Sequence, residues 1–177
     1  KMGLAIQDLS HLFSQDQMLP VRPIEDFIWL ISYSFWRDNA GPYHILQVIL
    51  HLLSSFLLVY TFRRSGVGLD LSLLASLLFF MNVAHFRTIH WITCRPYILA
   101  LIFSLCTLNS YLAYLKSGKT DRIILACLAQ TAAIFIHPST VAISFICIYL
   151  SWRKNLSVRR ILFPAGFQVI LSLICFF

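Results

Sequence analysis

Asn82-Val83-Ala84-His85-Phe86-Arg87-Thr88-Ile89-His90-Trp91-Ile92-Thr93-Cys94-Arg95-Pro96 places two histidines, two arginines, a tryptophan and a cysteine close together. Imidazole and thiolate are zinc ligands, and His137 is expected on the same face, so a metal site is one reading. The spacing fits no compact site and no carboxylate is near in sequence, so no metal is assigned. Arg87 and Arg95 suggest a different chemistry. Two guanidiniums at a membrane surface can grip the phosphate of a lipid-linked substrate through charge-assisted bonds. The plainer alternative is an interfacial belt. There Trp91, Tyr97, His85 and His90 sit at headgroup level and the arginines reach phosphates. A bound lipid or a divalent metal is the ligand these groups would take; no cofactor is assigned.

A second polar set lies inside an apolar run. His44, Gln47 and His51 recur at i, i+3 and i+7 within Tyr43–Phe62, which puts them on one helix face. Polar groups within a span face protein or water, because leaving them to lipid is costly. They read as a buried hydrogen-bonding stripe between helices, as a substrate cleft, or, for His51, as an axial ligand of a haem or chlorin. The acids available outside for general-base work are Asp8, Asp16, Glu25, Asp26 and Asp38, and Glu25 and Asp26 are the weak candidates. They are adjacent, on the polar face of an amphipathic segment where solvation is the competing role. No G-x-G-x-x-G, P-loop, G-x-S-x-G or H-E-x-x-H pattern occurs.

The elements that must position these groups follow from composition. Of 177 residues, 59% are apolar and 12% charged, against about 45–50% and about 25% in ordinary soluble domains. Disorder and a water-soluble globule are excluded on that basis. A lipid-crossing helix needs about 20 mostly apolar residues. Six runs qualify or nearly do: 43–62, 69–86, 96–115, 123–137, 139–152 and 161–177, with Pro138 dividing the fourth from the fifth. The expected fold is all-α, a polytopic membrane bundle of about six spans over residues 43–177. Residues 1–42 are expected to form an interfacial, extracytoplasmic segment of amphipathic helices. Ile24, Phe27, Ile28, Ile31 and Phe35 keep helical spacing behind Pro23, and Ala5, Leu9, Leu12 and Phe13 make a weaker stripe. Neither is long or apolar enough to span, so both are expected in the interface plane. The five cysteines form no C-x-x-C pair, which supports neither a disulfide framework nor a zinc finger. The opening at Lys1 and the close inside an apolar run suggest part of a longer polypeptide.

Charge placement agrees with alternating spans. One side collects Arg63, Arg64, Lys116, Lys119, Arg122, Arg153, Lys154, Arg159 and Arg160 against Asp70 and Asp121. The other holds Lys1, Arg22, Arg37, Arg87 and Arg95 against Asp8, Asp16, Glu25, Asp26 and Asp38. Lys and Arg mark the cytoplasmic face. The N-terminal segment and the 87–95 loop are therefore expected outside. Basic clusters between apolar runs point to membrane lipids rather than to nucleic acid.

The order of features resembles the C-type glycosyltransferase superfamily. The features are Arg22-Pro23, then Asn39-Ala-Gly-Pro-Tyr43-His44 running into a span with His51, then Arg63-Arg64. After these come Asn82…His85…His90-Trp91-Ile92-Thr93-Cys94-Arg95 and finally a His137-Pro138 turn. The branch most similar holds the protein O-mannosyltransferases and the transmembrane mannosyltransferases that carry tetratricopeptide repeats; the chain follows its span pattern at His44 and His51 and its outer-loop pattern at Trp91 and Arg95. The resemblance covers most of residues 20–155. It implies a multi-span enzyme moving a sugar from a polyprenyl phosphate to an extracytoplasmic acceptor, with an acidic residue in an outer loop. The chain departs from the pattern at Arg87, where the family has Glu, at Asn82-Val83 in place of His-Pro, and at Gln47 in place of Asn. Two functions follow. The chain is a non-catalytic accessory or scaffold subunit with protein partners in the membrane, or it is part of an active transferase. A transporter or channel is disfavoured because no span carries a carboxylate relay.

Overall fold

The structure is a computed structural model and describes residues 23–154. The stripe at Ala5, Leu9, Leu12 and Phe13, the run 161–177, and Arg22, Arg159, Arg160 and Cys175 lie outside the described residues. The described chain is all-helical, as expected. Helix α1 covers Pro23–Trp36, α2 Ala40–Ser65, α3 Leu69–Phe80, α4 Phe86–His90, α5 Arg95–Ser117, α6 Thr120–Ile136 and α7 Ala142–Arg153. Short 3-10 turns occupy Val83–His85, Ile92–Cys94 and Pro138–Val141.

Local chemistry explains the boundaries. The Asn39 side chain accepts the Gly41 N–H at 3.2 Å and starts α2. Gly66 ends it at φ 99°, with Gly66 N–H on the Arg63 carbonyl and Val67 N–H on that of Phe62, a paired termination that requires the left-handed region. No atom lies within 4 Å of a Cβ placed on Gly66, so Gly66→Ala pays only backbone strain. It is expected to lower stability by about 1–2 kcal/mol. Gly68→Ala, at φ −57°, is expected to be silent, and thermal unfolding in detergent compares the two. Pro96 in the first turn and Gly118 in the left-handed region bound α5.

Among the described residues, two helices are long and apolar enough to cross a membrane: Ala40–Ser65 and Ile92–Ser117, each 26 residues, or about 39 Å. Leu69–Phe80 and Val83–His90 qualify together as a pair bent by 47°. The six spans expected from sequence are not met among the described residues. The unbroken span 69–86 is interrupted because Asn82 turns its side chain to the Ala84 N–H at 2.9 Å and starts a new helical turn. The runs 123–137 and 139–152 become helices of 17 and 12 residues, about 25 and 18 Å long, short of a hydrocarbon core of about 30 Å. Pro138 enforces the division between them.

α5 is the centre of the bundle, packed chiefly on α6 and α2; α3 lies on α2, and α7 joins α5 beside the Pro138 turn. The interior is polar where helices meet. Gln47, His51, Ser54, Ser72, Ser76, Thr107, Asn109, Gln130, Ser144 and Ser151 are buried, while Phe56 is 72% exposed and Leu78, Leu128 and Phe145 stay in the open. Water would favour the reverse distribution. Lipid favours this one, because hydroxyls and small residues let helices approach and bond while large apolar side chains face the tails. Asn109 donates to Thr61 at 2.8 Å, and Tyr111 and Ser151 share a hydrogen bond between α5 and α7.

Candidate functional site

Arg95 stands at the start of α5 and is 1% exposed. Its Nε donates to Glu25 Oε1 at 3.1 Å, Nη2 lies 3.1 Å from the same oxygen, and Nη1 donates to Ser32 Oγ at 3.1 Å. The guanidinium also lies 4.5 Å from the ring centre of Trp29. Glu25, Trp29 and Ser32 recur at i, i+4 and i+7, so one face of α1 supplies all three partners. Glu25 is 3% exposed. Its expected solvated position is corrected: the carboxylate is inside the protein because the only economical way to bury Arg95 is beside an opposite charge. Asp26, one residue on, is half-buried. Arg95, expected to hold a lipid phosphate, is instead engaged within the protein. Trp29 and Ser32 went unassigned in the sequence reading, although their spacing from Glu25 marked a coherent face.

Aromatic contacts brace this corner. Tyr43 lies 5.8 Å from Trp29 and meets Trp36 edge-on at 5.1 Å, and its hydroxyl donates to the Arg37 carbonyl at 3.1 Å. Ile24 and Ile28 of α1 pack against Leu99, Ala100 and Ile136. The expected apolar stripe of α1 is thus divided. Ile24 and Ile28 face the bundle, whereas Phe27, Ile31 and Phe35 are exposed.

The histidine stripe of α2 separates in the same way. Gln47 and His51 are buried, and His44 is exposed. Gln47 Nε2 donates to the carbonyls of Thr88 and Trp91, each at 3.1 Å. His51 Nε2 lies 3.2 Å from the Phe80 carbonyl, so that nitrogen carries the proton. The ends of α3 and α4 expose carbonyls that lipid cannot satisfy, and these two side chains donate to them. Of the readings for the stripe, the inter-helix hydrogen-bonding one matches these contacts. Gln47→Leu removes this donor from the Thr88 carbonyl, while the Trp91 carbonyl keeps the Cys94 N–H at 2.9 Å, and is expected to cost about 1–3 kcal/mol. A lowered midpoint in detergent denaturation is the readout.

The remaining candidates meet in pairs, not in one cluster. Arg87 lies exposed over Trp91, 4.6 Å from the ring centre. His90 packs on Phe86, His85 contacts His51 and Phe79, and His137 lies 5.0 Å from Tyr97 and 2.7 Å from the Ser139 hydroxyl. Among the described residues no three His, Cys, Asp or Glu side chains cluster as metal ligands.

The two ends of the bundle differ in charge. Gln47 marks the end that carries 88–91, and Lys116 Nζ donates to the Arg64 carbonyl at 2.8 Å at the opposite end. Along α2 these points are about 25 Å apart. Arg63, Arg64, Lys116, Lys119, Arg122, Arg153 and Lys154 gather toward the second end with Asp70 and Asp121, whereas Arg37, Arg87 and Arg95 balance Glu25, Asp26 and Asp38 at the first. No family model, curated protein or solved structure matches the chain.

Proposed function

We propose that the chain is an integral-membrane helical module that serves as a non-catalytic accessory or scaffold subunit, related in pattern to the C-type glycosyltransferases. α2, α5 and the bent α3–α4 pair cross the bilayer, with the basic end in the cytoplasm and the Arg87 end outside. α6 and α7, 17 and 12 residues long, complete the bundle without crossing on their own.

The observation that carries the scaffold reading is the Glu25–Arg95 pair. A general base must reach the acceptor hydroxyl, and a phosphate-binding arginine must reach the phosphate. Both groups are buried and bonded to each other, which makes them a tie between α1 and α5. The second reading is an active transferase using a polyprenyl-phosphate sugar, and exposed Arg87 beside Trp91 favours it. The test is sugar transfer by the purified full-length protein in vesicles supplied with polyprenyl-phosphate mannose and a hydroxyl acceptor. The scaffold reading predicts no transfer by the chain alone. Transfer that is abolished by Glu25→Gln at an unchanged folded fraction would replace it with the enzyme reading.

A further inference from the structure

At the basic end, Arg63, Arg64 and Lys116 direct their nitrogens to neutral acceptors. Arg63 Nη1 donates to the Val67 carbonyl at 3.3 Å, Arg64 Nη1 to the Tyr60 hydroxyl at 2.8 Å, and Lys116 to the Arg64 carbonyl. None of the three is ion-paired among the described residues, and exposed Asp70 in the first turn of α3 makes no such pair either. All three cations thus lie at the end of the bundle where the α2–α3 turn meets the end of α5, Lys116 on the α5 side of α2. Running away from that point is an open groove between α2 and α3 of about 190 Å3, walled by Leu52, Phe56, Val59, Leu73, Leu77 and Phe80.

Leu52, Phe56, Val59 and Arg63 follow one another at i, i+4, i+7 and i+11, so Arg63 lies on the groove-facing side of α2, one turn beyond its apolar wall. An apolar channel about 10 Å long, the reach of Leu52 to Val59, with the uncompensated Arg63 one turn beyond it, matches an amphiphile with one anionic end. We propose that this groove holds an acyl chain of an anionic phospholipid, with its phosphate at Arg63 and the neighbouring Arg64. The site lies at the end of the bundle opposite Arg87, so it is distinct from any donor-sugar site there. It rests on the membrane-spanning reading, because only a bilayer supplies such a lipid beside α2 and α3. Charge supplies headgroup preference and the groove supplies chain binding, so the two contributions are separable.

The test titrates the full-length protein in detergent with phosphatidylglycerol or phosphatidylcholine of identical acyl chains, and counts bound lipids by native mass spectrometry. Wild type is expected to prefer phosphatidylglycerol, and Arg63→Gln with Arg64→Gln to reduce the preference about tenfold. Leu77→Trp, which fills the groove from an exposed position, is expected to weaken both lipids equally. Added salt is expected to erode the preference in wild type alone, which serves should the double variant fold poorly. Equal binding of the two lipids, or a preference indifferent to both the double variant and salt, would overturn the proposal. Alkaline extraction of membranes separates this outcome from failure of the underlying reading. A protein that stays in the extracted membrane without lipid preference refutes the lipid site alone. One released to the aqueous phase refutes the spans as well.

Discussion

Arg95→Leu is expected to destabilise the protein by about 3–5 kcal/mol, because it removes the guanidinium 3.1 Å from the buried Glu25 carboxylate. Glu25→Leu is expected to do comparable harm by stranding the guanidinium, which Ser32 and Trp29 alone do not neutralise. The double replacement is expected to recover much of the loss, since an apolar pair of similar volume avoids burying charge at all. A double-mutant cycle on the denaturation midpoint in detergent reads the coupling. Additive losses in the two single variants would mean that the contact at 3.1 Å does not tie α1 to α5. The same cycle bears on function. A tie between helices loses assembly and stability together, whereas a catalytic carboxylate loses turnover while the fold persists.

Phe56→Lys is the second large effect, and its sign discriminates between environments. Phe56 lies near the middle of α2 and is 72% exposed. In water, a lysine on an exposed helix face changes stability by at most about 0.5 kcal/mol. At the centre of a spanning helix, a lysine costs about 2.5–3.5 kcal/mol of insertion free energy. The expected result is a large fall in the membrane-integrated fraction for Phe56→Lys. Arg63→Lys, at the rim, is expected to integrate like wild type. Equal integration of Phe56→Lys and wild type would place that face of α2 against water or protein.

The division at Pro138 was legible because a local backbone rule decides it. The caps at Asn39, Gly66 and Gly118 carry α2 to Ala40–Ser65 and α5 to Arg95–Ser117, beyond the apolar runs 43–62 and 96–115 expected from sequence. The break at Met81–Asn82 was not legible, because the surrounding run is apolar and one asparagine decides the matter through a single hydrogen bond. The partnership of Glu25 with Arg95 joins residues seventy apart in sequence, and no periodicity reports such a pairing. Sequence spacing put His44, Gln47 and His51 on one face correctly. It did not show that the 80–91 segment reaches Gln47 and His51 while leaving His44 outside.

Labelling from one side of a sealed membrane tests the central claim most directly. Single cysteines are placed at Ser117, beside the basic turn, and at Asp38, which is exposed in the turn before α2 at the other end, in a background where the native cysteines are replaced by serine or alanine. An impermeant maleimide added to sealed, right-side-out vesicles is expected to label the cysteine at 38 and spare that at 117 until the membrane is opened. Labelling of both positions in intact vesicles would contradict a bundle that crosses the bilayer between them.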